Sequence, residues 1–133
     1  MTERELNAAR EIANAIRACE SDLATFRMSM VRLVPLRDGQ PKGHNTDSQV
    51  EKIAVLIMEK EQEIEDLRSR LMDTAGVIAR QISQADLTPQ ERRVMFLRYV
   101  ACDNFRDIAF EMNKSDARIF QIHKDALSKL ISV

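Results

Sequence analysis

"NKSDARIFQIHKDAL", Asn113 to Leu127, sets Arg118, Gln121 and Lys124 among apolar residues at helical intervals. At about 100° per residue, Ile119, Phe120, Ile122, Ala126, Leu127, Leu130 and Ile131 collect on one half of the wheel. Arg118, Gln121, Lys124, Asp125 and Ser128 gather on the other, with Ala117 between them. An amphipathic helix often owes its polar side to water alone. This one also keeps that side small or hydrogen-bonding over its first two turns, as a helix laid into a major groove requires, where Arg pairs with guanine and Gln with adenine.

The residues in front of this helix fit the same reading. Asn113-Lys114-Ser115 is a turn: asparagine tolerates the left-handed conformation that ends a helix, and Ser115 can cap the next one. A short helix is predicted from about Phe105 to Met112, with Ile108, Ala109 and Met112 facing inward. The small side chain of Ala109 lets the two helices cross closely. Two short helices joined by a three-residue turn form a helix-turn-helix. Further upstream, "LTPQERRVMFLRYV", Leu87 to Val100, starts another helix: Thr88 as cap, Pro89 at the first position and Glu91 closing a capping box. "ACDN", Ala101 to Asn104, interrupts it.

Residues 87–130 resemble region 4 of bacterial sigma-70-type factors: "L-T-x-x-E-R", "L-R-Y", "I-A" and "R-I-x-Q-I-x-x-x-A-L-x-K-L" fall at that family's spacing. The resemblance implies that the first positions of the last helix, Asp116 and Ala117, and Gln121 one turn later touch promoter bases, with Arg118 and Lys124 on the same face. Asp116 and Ala117 stand where the family usually has arginine and glutamate. An acid there is pushed away by phosphates but can accept from cytosine, so an operator other than the usual promoter element is expected. Phosphate contacts are expected from Arg106, Lys114 and Ser115, with Arg118, Lys124 and the amides at the helix start assisting. The whole chain is also similar, more loosely, to small prophage-encoded late or autolysin-regulatory transcription factors of Gram-positive bacteria.

The front of the chain reads as two long helices. Thr2-Glu3-Arg4-Glu5 is a capping box, after which Ile12, Ile16, Cys19, Leu23, Phe26, Met30 and Leu33 recur at steps of four and three, a heptad seam. Pro35 and the run "PLRDGQPKGHNTD" predict that helix one stops near Leu33 and that 34–47 is a loop. Helix two is expected from Asp47 or Ser48 to about Gln84, with a seam of Val50, Ile53, Ile57, Lys60, Ile64, Leu67, Leu71, Thr74 and Ile78. Lys60 and Thr74 interrupt it as register-setting positions. "IAVLIM", Ile53 to Met58, is apolar all round and exceeds what one partner helix covers. A hairpin or long coiled coil that buries the remainder against a second chain is therefore expected. A monomeric bundle covered by the carboxy-terminal helices is the alternative.

Composition bounds the remaining possibilities. The 133 residues are 44% hydrophobic and 31% charged, with three glycines, three prolines, five Phe and one Tyr, which favours long helices over sheets. Residues 1–87 carry 12 basic and 15 acidic side chains and residues 88–133 carry 8 and 6, a mild basic excess toward the carboxy terminus. No apolar run approaches the roughly eighteen residues of a membrane span, and "MTERELNAAREIANA" is too charged for a secretory signal, so a cytoplasmic protein with no membrane partner is expected. Cys19 and Cys102 lack neighbours at metal-ligand spacing and read as reduced small hydrophobes. His44 reads as a loop residue, His123 as a structural histidine, and the acidic run "EKEQEIEDL", Glu59 to Leu67, as a solvated helix face. No nucleophile has a base at motif spacing and no glycine-rich phosphate loop occurs, so no catalytic residue, cofactor or metal is assigned.

The sequence thus predicts an all-α protein: a helical hairpin at 1–86 that self-associates and a sigma region 4-like helix-turn-helix at 87–133 that binds double-stranded DNA, acting as a homodimer or higher homo-oligomer in transcription regulation. Two other functions fit the same features. One is a phage DNA-packaging subunit of the small terminase kind, which also joins a helix-turn-helix to an oligomerising segment. The other is an interaction module that docks on RNA polymerase or another protein without touching DNA.

Overall fold

The computed structural model describes residues 1–37 and 44–131, apart from the side chains of 34–37 and 44–47. Its elements are all helices: α1 (Glu3–Arg37), α2 (His44–Gln84), α3 (Pro89–Tyr99), α4 (Phe105–Met112) and α5 (Asp116–Leu130). Among the described residues there is no strand.

Both long helices run beyond their predicted ends. Helix α1 passes Pro35 and stops at Arg37 rather than near Leu33. A proline in the last turn removes one amide donor where carbonyls already look to water, so it is tolerated better there than in a helix interior. Helix α2 begins at His44, which places the predicted caps Asp47 and Ser48 inside it. Asn45, Thr46, Asp47 and Ser48 are all cap formers, and sequence alone does not choose among them. Of the predicted loop 34–47, residues 34–37 and 44–47 are helical and the rest lies outside the described residues.

The chain divides into two compact units, and the division differs from the predicted boundary at 86 and 87. One unit comprises Met1–Ala13 and Arg70–Val133, the other Asn14–Ser69. In the second unit α1 and α2 lie antiparallel: Glu20 pairs with Arg68 at 3.4 Å, Asp22 with Lys60 at 3.5 Å and Arg27 with Glu61 at 3.7 Å, rising numbers on one helix meeting falling numbers on the other. Ile16, Cys19, Leu23 and Ile64 are buried along this seam. Lys60 also holds Glu63 at 2.9 Å, so the polar interruption of the seam is satisfied within the chain. Hydrogen bonding to Glu63 raises the Lys60 ammonium above its ordinary value, and the same contact lowers the Glu63 carboxyl. Burial raises the Cys19 thiol, which keeps it protonated. Met28, Val31, Val55, Leu56 and Met58 remain exposed in this unit.

The other unit is built on two cores. Leu6 and Ala9 of α1 meet Ile78 and Ile82 of α2, Leu87 just before α3, Met95 and Tyr99 of α3, and Ala126 and Leu130 of α5. Val94 and Leu97 meet Ile108 and Ala109 of α4 and Ile119 and Ile122 of α5. The start of α1 is further tied by Arg10 Nη1, which donates to the carbonyls of Arg98 at 3.4 Å and Asp103 at 3.2 Å.

Caps fix where each short helix starts. Thr88 Oγ1 accepts the Glu91 N–H at 3.2 Å while Glu91 Oε1 accepts the Thr88 N–H at 2.8 Å, closing the predicted capping box. The same Glu91 oxygen receives Lys129 Nζ at 2.8 Å, so one buried carboxylate ties the start of α3 to the end of α5. Lys129 and the Thr88 amide hold that carboxyl below the usual carboxylate range. Between α4 and α5, Asn113 adopts the left-handed conformation (φ 56°, ψ 48°), and Lys114 N–H reaches back to the Ala109 carbonyl at 3.0 Å, as helix-ending turns do. Ser115 Oγ then accepts the Arg118 N–H at 3.1 Å.

A polar and aromatic cluster closes the side of this unit. Tyr99 Oη and His123 Nε2 share a hydrogen bond 2.6 Å long. Burial, aided by Arg98, pushes the His123 pKa from 6.5 down to about 4.

Two outcomes follow from this packing. Leu6 is fully buried, so Leu6→Ala should destabilise the unit carrying the helix-turn-helix by about 2–5 kcal/mol in urea unfolding. Because His123 binds its proton more weakly folded than unfolded, its contribution is fully present above pH 6.5 and is lost as pH falls toward about 4. The urea midpoint of the native chain should fall between pH 7 and 5, and His123→Gln should flatten that decline.

Candidate nucleic-acid interface

Helix α5 presents two unlike sides because its first half is gripped from one direction. Ile119, Ile122 and Ala126 are at most 3% exposed, sealed against α3 and α4 and, at Ala126, against α1 and α2. The opposite side is open: Asp116, Ala117, Arg118, Gln121 and Lys124 are all exposed. These are the five positions at which base contacts are expected, and the turn at Asn113 together with the Ser115 cap aims them outward from the first turn onward.

The remaining expected residues border this face. Ser115 is exposed at the start of α5; its oxygen accepts from the helix, which leaves its hydroxyl hydrogen to donate elsewhere. Lys114 is half-buried on the turn, and Arg106 is exposed in the first turn of α4. In α5 itself Gln121 Nε2 donates to Asp125 Oδ1 at 3.0 Å, which holds the carboxamide along the helix; among the described residues its oxygen and second N–H have no partner. Asp116 and Asp107 sit in the first turns of α5 and α4, where the helix dipole favours an acid. The face is therefore close to neutral in charge.

Phe120 departs from the sequence reading. It was expected on the apolar half, yet it is 51% exposed. Its wheel position explains this: it lies roughly 100–160° from Ile119, Ile122 and Ala126, but only about 60° from Ala117 and 40° from Lys124. A half-and-half division of the wheel assigned Phe120 by hydrophobicity, whereas the angle from the three anchoring residues assigns it to the open side. Its ring leans on Phe105 with centroids 4.8 Å apart, and the Arg98 guanidinium covers Phe105 at 3.9 Å.

Residues 85–130 match the family model of sigma-70, region 4. The match starts two residues before the stretch singled out by its motifs, spans roughly a third of the chain and supports a sigma-70 region 4-like helix-turn-helix made of α3, α4 and α5. No curated protein and no solved structure matches the chain. Among the described residues no three His, Cys, Asp or Glu side chains are grouped so as to hold a metal ion, and no helix is long and apolar enough to cross a membrane.

Proposed function

We propose that the chain is a cytoplasmic, sequence-specific double-stranded DNA-binding transcription regulator of the small prophage-encoded kind, which acts as a homodimer joined through α1 and α2. The observation that carries this reading is the openness of α5: a helix of a sigma-70 region 4-like domain turns Asp116, Ala117, Arg118, Gln121 and Lys124 to solvent while Ile119 and Ile122 anchor it from behind. Arg118 supplies a fork for guanine, Gln121 a donor and an acceptor for adenine, and Asp116 an acceptor for the cytosine amine. Arg106, Lys114 and Ser115 flank these and take phosphates.

Dimerisation is supported by charge and by exposed apolar surface. A face with few net positive charges releases few counterions, so a single module binds weakly. Linking two modules raises the effective concentration of the second and sets two half-sites about 10 base pairs, or a multiple, apart. Val55, Leu56, Met58, Met72 and Val77 on α2 and Met28 and Val31 on α1 are exposed apolar side chains, and those of the Asn14–Ser69 unit are the ones proposed for a second copy to cover.

Selection of bound fragments from random duplex DNA by the full chain should return a sequence with two related half-sites. Arg118→Ala and Gln121→Ala should each weaken binding to it by about 1–3 kcal/mol and relax specificity at one base pair per half-site, read by gel shift and by repeated selection. Unchanged binding in both variants would leave groove reading by this face without support and favour docking on a protein such as RNA polymerase. Light scattering of the full chain should give a dimer, lost in Leu56→Glu. A ring of eight or more copies would favour the DNA-packaging reading instead.

A further inference from the structure

We propose that Phe120, together with Ala117, reads the methyl group of a thymine in the bound duplex; the inference rests on the DNA-binding reading above and adds a base-specifying residue to it. Phe120 is on the exposed side of α5, within one helical turn of Ala117 and Lys124, and half of its surface faces solvent. A benzyl side chain has nothing to offer a phosphate or a hydrogen-bonding base edge. Of the groups that paired bases display in the major groove, the 5-methyl of thymine is the apolar one. The face of a paired base is stacked and out of reach, so the ring meets edges only. Ala117, small and apolar one turn earlier, leaves room beside the ring and adds a second methyl-sized contact.

The side chain is also held ready. Phe105 supports the ring from behind at 4.8 Å, His123 meets Phe105 edge-on at 4.9 Å, and Arg98 covers Phe105 at 3.9 Å while donating to the Asp103 carbonyl at 3.3 Å. A ring packed at a tilt of 54° against a fixed neighbour loses little rotamer freedom on meeting a methyl group, so the contact retains most of its value. The Asp116 carboxylate one turn before Phe120 repels the backbone, which places this strip of the helix over base edges rather than over phosphates.

The test replaces each thymine of the selected site, one at a time, by deoxyuridine, which deletes only the methyl group. With the native full chain, at least one thymine per half-site should show about fourfold weaker binding on replacement, the fold-change that corresponds to ~0.8 kcal/mol for one buried methyl-sized group at 1.4 kcal/mol per tenfold. Phe120→Leu should keep that sensitivity, and Phe120→Gln, polar at an exposed position and compatible with folding, should lose it at the same base pair. Indifference of the native chain to every replacement overturns the proposal, as does equal sensitivity in Phe120→Gln. Loss of self-association in Phe120→Gln with unchanged DNA affinity also overturns it, assigning the ring to a protein contact. Failure of the native chain to enrich any sequence overturns the DNA-binding reading itself, a distinct result.

Discussion

The open face of α5 depends on what lies behind it. Ile119 and Ile122 enter the core shared with α3 and α4, while Ala126 and Leu130 enter the core shared with α1, α2 and α3. A single fifteen-residue helix is thereby clamped along its length by two different sets of partners. Its rotation about its own axis is fixed, because turning it would withdraw fully buried side chains from both cores at once. The Glu91–Lys129 contact adds an end stop, tying the carboxy-terminal turn to the start of α3 through a carboxylate already committed to a capping box. A rigid support of this kind is what a face needs if it is to present side chains in a fixed register.

Much of this was legible in the sequence because it rests on local rules. The capping box at Thr88, the cap at Ser115 and the left-handed Asn113 follow from the chemistry of single residues and came out at the expected positions. So did the bounds of α4 and the inward Ile108 and Ala109. Three features were not legible, for physical reasons. The ends of α1 and α2 depend on a competition among several weak caps and a proline near a terminus, which differ little in free energy. The packing of Leu6 and Ala9 against Met95 and Ala126 joins residues more than eighty positions apart, and no periodicity within a helix reports which distant surface it meets. Phe120 was placed by hydrophobicity, and only the direction of its support reverses that.

The division into units bears on how the front of the chain is used. The first thirteen residues and the stretch from Arg70 onward share the core on which α5 rests, so the long helices are not merely an appendage to the helix-turn-helix. Arg10 makes the same point with hydrogen bonds, donating to two carbonyls at the end of α3.

Charge decides what kind of DNA reader such a face can be. Arg106, Lys114, Arg118 and Lys124 are matched locally by Asp107, Glu111, Asp116 and Asp125. Two of those acids have work within the protein: Glu111 pairs with Arg93 at 3.0 Å and Asp125 holds Gln121 at 3.0 Å. A face so nearly neutral gains little from counterion release, and with it little of the sequence-independent affinity that basic faces have. In the proposed complex, what remains is contact with base edges, polar at Arg118 and Gln121 and apolar at Ala117 and Phe120. Non-specific sites offer such contacts only by chance. A weakly charged face therefore lowers affinity for every site, but lowers it least where the bases fit, and discrimination improves as overall attraction declines.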